Sequence, residues 1–413
     1  MSEVKINSLS GINQINLVEC ANKICDGIDC DFNKESLNMC GDLFDSGKVF
    51  YLNPTEELRM GDFVKKGSRI ATVLGSGDFA IDSIYHGVKN VTCFDINKYQ
   101  YFPASLKIKA LQYMNYEDYC NFFCDNKVDI KLLNMDMYEK IKDISENNEI
   151  LYTFMDIIVK RFNEAKNRIK EDIINDPFYS IIHNMYVDNN TDSSRIKKFV
   201  EKFDECLIDN TSELYLSFLF SVFGIGYAPP EVISLFHGLE TFKRKNSYLE
   251  SECSFNDTKK LISNSKIDFV NCDVSKLESI LKNKGYVDAS FRGFQSIYLS
   301  NIPEYMRGDY FVNNVICKLM NLLEDDGIIV YCCQGVTKDD LHIGKSAVFD
   351  IINDPDNYIA DRNPLNRIRL VNDICGYELL KKGDFDISLN EAESLCVDNG
   401  YHDKDTFIYI KKK

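Results

Sequence analysis

The amino-acid sequence predicts an α/β protein built on a parallel sheet, and three observations carry that prediction. A short β-rich run, Arg69-Ile70-Ala71-Thr72-Val73-Leu74, ends directly in glycine and is followed by a helix-length segment. A second run, Val91-Thr92-Cys93-Phe94-Asp95, is followed by helical spacing from about Tyr99 to Met114. The same alternation returns after residue 264, and strand, helix, strand, helix in succession calls for right-handed crossovers between parallel neighbours.

The later elements follow in order. Lys266 to Asn271 and Phe294 to Leu299 read as strands, Asp309 to Leu323 as a helix, and Ile328 to Tyr331, after Gly327, as a further strand. Tyr377 to Leu380 and Thr406 to Ile410 are expected to form an antiparallel pair that closes the sheet. Between 116 and 264 strand signals fade, and stretches such as Ile150 to Ile169 and Ser194 to Cys206 place apolar residues at helical spacing. The expected organisation is therefore an N-terminal cap or lid over 1–67, the first half of a Rossmann-like domain over 68–115, a helical insertion over 116–264, and the second half over 265–413.

With 413 residues, 45% of them hydrophobic and 12% aromatic, the chain buries a large core. Its 64 acidic against 48 basic residues give a formal charge of −16, which repels a phosphate backbone and argues against a nucleic-acid partner. The tight basic runs, Lys243-Arg244-Lys245 and Lys411 to Lys413, read as solvated surface. Fifteen cysteines without a preceding signal-peptide pattern fit reduced thiols in a cytoplasmic protein better than a disulfide framework. The densest group, Cys20, Cys25, Cys30 and Cys40, lacks the spacing that lets two thiolates grip one zinc, so no metal site is expected. No apolar stretch reaches the roughly 20 residues that cross a bilayer. Leu214 to Phe223 comes nearest and then meets Gly224, Gly226 and Pro229-Pro230, which leaves peripheral membrane contact or packing between helices as its readings.

Gly75-Ser76-Gly77-Asp78-Phe79-Ala80 fits GxGxx[GA] between a strand and a helix, where backbone amides and a helix N-terminus approach a nucleotide closely. Asp95 ends the next strand, the position from which two carboxylate oxygens accept hydrogen bonds from both ribose hydroxyls. A dinucleotide and S-adenosylmethionine both suit this geometry. The wording Gly87-Val88-Lys89-Asn90-Val91-Thr92, with Asp95-Ile96-Asn97 after it, is similar to class I methyltransferases. A further acidic residue is expected beside the adenine: Asp273, flanked by Cys272 and Val274, with Asp136 as its rival. The strand ending in Leu299-Ser300-Asn301-Ile302-Pro303-Glu304-Tyr305 places Ser300 and Asn301 where sheet enzymes face the transferred carbon.

Together, Phe94-Asp95-Ile96-Asn97-Lys98-Tyr99-Gln100, Leu106 to Leu111, Asn115 to Tyr119, Phe122-Phe123 and Ser300-Asn301-Ile302-Pro303 carry a resemblance. The chain resembles the S-adenosylmethionine:diacylglycerol 3-amino-3-carboxypropyltransferases over roughly 68–125 and 294–335. The resemblance implies a class I methyltransferase-type sheet and transfer of the aminocarboxypropyl arm of the cofactor to a small-molecule or lipid acceptor. It also implies that Gly75, Gly77 and Asp95 hold the cofactor, that Gln100 sits beside it, and that Asn301 lines the reaction centre; Ser76, Asp78 and Ile96, next to them in the chain, are expected to bind the cofactor as well. Val73 departs from ordinary methyltransferases, which carry Asp or Glu two residues before the first glycine. Methyl transfer, an NAD-dependent oxidoreductase and a non-catalytic nucleotide-binding protein are the alternatives. For an acceptor that must lose a proton, Glu304, Tyr305, Asp309 and His342 are the candidate bases.

Overall fold

A computed structural model describes residues 6–10, 60–97, 100–123, 246–287, 291–343, 364–393 and 404–413. Among the described residues eight strands form one sheet: β1 (Ile6–Ser10), β2 (Arg69–Val73), β3 (Asn90–Asp95), β4 (Lys266–Asn271), β5 (Phe294–Tyr298), β6 (Leu323–Cys333), β7 (Phe385–Glu393) and β8 (Lys404–Lys412). Their order across the sheet is β1-β4-β3-β2-β5-β6-β8-β7. Every neighbouring pair from β1 to β6 is parallel, and β8 runs antiparallel to both β6 and β7. This is a Rossmann-like α/β fold.

The strands lie between two apolar layers, which is why they read as near-continuous apolar runs. Along β6, Ile328, Val330 and Cys332 join one core, while Ile329, Tyr331 and Cys333 join the other, as the two-residue period of a strand requires. The first core is covered by α2 (Asp78–Tyr85), α3 (Tyr101–Tyr113) and α5 (Glu252–Ile262), through Phe79, Ile84, Ile108, Leu111, Phe255 and Ile262. Against the second lie α6 (Leu277–Asn283), a helical run over 308–322 and α8 (Pro364–Lys382). The helices that follow β2 and β5 therefore sit on opposite faces. The carboxyl ends of these adjacent strands are thus a switch point, the place where open α/β sheets take their ligands.

The shorter helices are α1 (Met60–Phe63), α4 (Tyr116–Phe123) and α7 (Lys338–His342). The crossover from β3 to β4 contains α3, α4 and α5, and Ser251 caps α5 by accepting a hydrogen bond from the Ser254 amide at 3.1 Å. Most of the stretch expected as a helical insertion, 124–245, lies outside the described residues. So do Asp136, Leu214 to Phe223 and the cysteines at 20, 25, 30 and 40. Of the stretch expected as a cap, Ile6–Ser10 pairs with β4 as an edge strand and Met60–Phe63 is helical.

One expected strand is overturned. Tyr377 to Leu380 lies inside α8, where Leu370, Ile374, Tyr377 and Leu380 are all buried at spacings of four, three and three. That is the period of a helical face, and four residues are too few to distinguish it from an apolar strand. The antiparallel partner of β8 is Phe385–Glu393, whose edge carries the charged residues Asp386, Glu391 and Glu393. Among the described residues, no helix is long and apolar enough to cross a membrane.

Candidate cofactor site

The carboxyl ends of β2, β3, β4, β5 and β6 share one edge because these strands are parallel. The turn after β2 is held tightly: Leu74 N–H donates to Phe94 O, and Gly77 N–H donates to Leu74 O, each at 2.8 Å. Gly75 and Gly77 have φ of +46° and +89°, a region that a side chain rarely enters. A Cβ on Gly77 would also stand 3.0 Å from Ala104 Cβ, so α3 closes onto the turn only because that Cβ is absent. Gly77→Ala is expected to destabilise the protein by roughly 1–2 kcal/mol, and denaturant unfolding measures it.

Asp95, at the end of β3, meets this turn directly. Its Oδ2 accepts from Gly75 N–H at 3.2 Å and its Oδ1 from Asn97 N–H at 2.9 Å. Asn271, ending β4, donates through Nδ2 to the carbonyls of Asp95 and Ile96, each at 3.0 Å, and so ties down the loop after β3. Burial pushes the Asp95 carboxyl up to about 7, against the opposing pull of the two amide bonds. Two of the four lone-pair sites on the carboxylate are used, leaving two for hydroxyl donors. Beside it the apolar side chain of Ile96 is 47% exposed.

The raised carboxyl has a consequence for stability. Since the native state holds the Asp95 proton more firmly than the unfolded chain, whose carboxyl stays near 3.8, the stabilisation is complete below about pH 4. It declines as pH rises and is lost above about 7. Asp82, raised by its own burial, acts in the same direction. Urea unfolding of the wild type and of Asp95→Asn is therefore expected to show the wild type losing ground steadily between pH 4 and 7; a constant difference would contradict this.

The side chains of Ser76 and Asp78 face the interior. Ser76 Oγ donates to Asp78 Oδ2 at 2.5 Å, Lys107 Nζ reaches the same oxygen at 2.8 Å, and Tyr248 Oη donates to Asp78 Oδ1 at 2.7 Å. Sequence patterns had set both residues against a cofactor. With Ser76 1% and Asp78 0% exposed, their side chains are buried beneath the glycine turn and brace it from within. Tyr248 N–H also donates to Asp82 Oδ1 at 3.2 Å, and Tyr119 Oη lies 3.2 Å from Tyr248 Oη. Gln100 is buried immediately before α3.

Asp273 stands at the carboxyl end of β4, half-buried, and caps the following turn by accepting from Ser275 N–H at 2.8 Å. Its expected apolar neighbours, Cys272 and Val274, pack into the second core. Burial pushes the Cys272 thiol up to about 12, so it is protonated near neutrality.

On the other side of β2, β5 ends at Tyr298, and Ser300 takes φ +52°, a left-handed conformation uncommon outside glycine. Cys332 N–H holds Ser300 O at 2.9 Å. Asn301 then turns its Nδ2 towards Gln334 Oε1 (3.1 Å), Glu304 Oε2 (3.3 Å) and Tyr305 Oη (3.5 Å). Gln334 N–H in turn donates to Glu304 Oε1 at 2.9 Å, and Asn372 Nδ2 donates to Glu304 O at 3.1 Å. Asn301, Glu304 and Tyr305 are thus brought together. Asp309 is not part of the group: it is exposed and pairs with Arg307 at 2.8 Å. His342 is exposed on α7 with its ring against Tyr377, centroids 5.5 Å apart.

Three participants escaped sequence reasoning. Lys107 lies within the Leu106 to Leu111 stretch but has no role of its own in the sequence pattern, Tyr248 sits far from any motif, and their partner Asp78 reads in sequence as a nucleotide contact. Gln334 follows β6 as Asn301 follows β5, so its place at a strand end before a glycine was the available signal. An open cleft of about 490 Å³, lined by Tyr85, His86, Asp257, Lys260 and Leu261, lies at the opposite, amino end of the strands. Among the described residues no group of His, Cys, Asp and Glu is arranged to hold a metal ion. Set against protein-family models, curated proteins and solved structures, the chain matches none.

Proposed function

We propose that this chain is an S-adenosylmethionine-dependent transferase that moves the 3-amino-3-carboxypropyl group to a small-molecule or lipid acceptor. The observation that carries the reading is the bond from Gly75 N–H to the Asp95 carboxylate, which joins the glycine turn and the ribose-type acid in one cradle. Two acceptor sites left on Asp95 suit a pair of ribose hydroxyls, and the exposed Ile96 beside them suits an adenine face. The sheet supports an adenosyl sulfonium compound over a dinucleotide. Dinucleotide folds continue their second half with parallel strands, whereas here β8 inserts antiparallel between β6 and β7.

A bound sulfonium activates each of its three attached carbons. The chain's own task is to align an acceptor with one of them and to exclude water. In aminocarboxypropyl transfer the acceptor's lone pair forms a bond to the γ-carbon and the carbon–sulfur bond breaks. Its electron pair stays on sulfur, methylthioadenosine departs, and the acceptor's proton passes to a base. Asn301 lines this centre, with Glu304 and Tyr305 beside it as the groups placed to receive a proton. Methyl transfer is the alternative for the same cradle.

Incubation with labelled S-adenosylmethionine and cell extract, followed by mass spectrometry, separates the two. Methylthioadenosine is the expected product; S-adenosylhomocysteine would move the assignment to methyl transfer. Tight NAD binding by calorimetry, with no response to S-adenosylmethionine, would overturn both.

A further inference from the structure

Gln334 stands out within the Asn301 group because one of its atoms is unaccounted for. The residue is 7% exposed, its backbone N–H is bonded to Glu304, and its Oε1 accepts from Asn301. These bonds set the orientation of the amide, since Asn301 Nδ2 can only donate. The remaining donor, Nε2, is buried with no partner. Leaving such a donor unsatisfied costs about 1–3 kcal/mol. Here the cost is borne because Asn301 holds the side chain through Oε1 and Glu304 holds its backbone, so Nε2 stays beside Asn301 as a donor for an incoming acceptor atom.

The proposed chemistry says what that acceptor is. For the aminocarboxypropyl arm to be transferred, its γ-carbon must face the acceptor at Asn301, and the arm's carboxylate and ammonium must be received on that side of β2. The glycine turn is poorly equipped to keep them: Val73 stands two residues before Gly75, and the Asp78 carboxylate is enclosed by Ser76, Lys107 and Tyr248. At the Asn301 group, by contrast, the amide donor of Gln334 suits a carboxylate.

We infer that Gln334 receives the α-carboxylate of the sulfonium compound, Nε2 donating to a carboxylate oxygen, and thereby draws the aminocarboxypropyl arm to the reaction centre. The assignment rests on the proposed use of S-adenosylmethionine, and the test separates the two. Calorimetric titrations use S-adenosylmethionine, S-adenosylhomocysteine and methylthioadenosine, the last of which lacks the arm. In Gln334→Leu, affinity for the first two is expected to fall at least tenfold, and in Gln334→Glu further, by charge repulsion. Methylthioadenosine should bind both variants as it binds the wild type, which also reports that they fold. Unchanged affinity for S-adenosylmethionine, or an equal loss for methylthioadenosine, overturns the inference. A wild-type chain that binds none of the three overturns the cofactor reading, and this inference with it.

Discussion

Asp95→Ala is expected to weaken S-adenosylmethionine binding by about a hundredfold or more, with the fold retained. Hydrogen bonds to a charged group contribute roughly 1.5–3 kcal/mol each, and the substitution removes the acceptor proposed for two ribose hydroxyls. It also strips Gly75 N–H and Asn97 N–H of their shared partner, so the turn loses its tie to β3. Calorimetry reads the affinity, and circular dichroism confirms the fold. A pH signature accompanies the effect. The carboxyl is raised to about 7 by burial, and only its ionised form accepts two hydroxyl donors at once, so wild-type affinity is expected to climb between pH 6 and 8 and then level off. This is opposite in sign to the loss of unliganded stability, which runs from about pH 4 to about 7. Affinity indifferent to both the substitution and pH would remove Asp95 from the site.

The second large effect is on stability. Lys107 and Asp78 form an ion pair of 2.8 Å with the two side chains 1% and 0% exposed. Removing one partner of a buried pair leaves an uncompensated charge, at a cost of about 3–5 kcal/mol. Lys107→Met is expected near the lower end of that range, because Ser76 and Tyr248 still donate to the Asp78 carboxylate. Adding Asp78→Asn should recover part of the loss, which a double-mutant cycle in urea would reveal as strong non-additivity. Additive losses would mean that the two groups are not coupled. Since Ser76 belongs to the glycine turn and Tyr248 to the segment just before α5, the pair also links that turn to the chain returning from the crossover between β3 and β4.

The relation of pattern to structure differs between the two halves of the candidate site. Gly75, Gly77 and Asp95 were legible because their roles are local: a backbone needing positive φ permits glycine, and a strand that ends beside a turn shows its carboxylate in the linear order. The inward turn of the Ser76 and Asp78 side chains is not legible in the same way: Ser76 bonds to Asp78, whose other partners lie 29 and 170 residues further along the chain. Likewise the apolar residues of 377–380 announced burial without announcing a helix, since the pattern appears only once Leu370 and Ile374 are read with them.

Alternating apolar runs bounded by glycine therefore sufficed to specify an α/β sheet, its early strands and the bend at Gly75, because hydrophobic period and backbone sterics act over a few residues. Tertiary packing decided which polar groups meet. It buried Asp78 with Lys107 and Tyr248, set Gln334 against Asn301 and Glu304, and left His342 at the surface. The physical reason is that a buried polar side chain must find its partner wherever the fold supplies one, and separation along the chain places no limit on where that is.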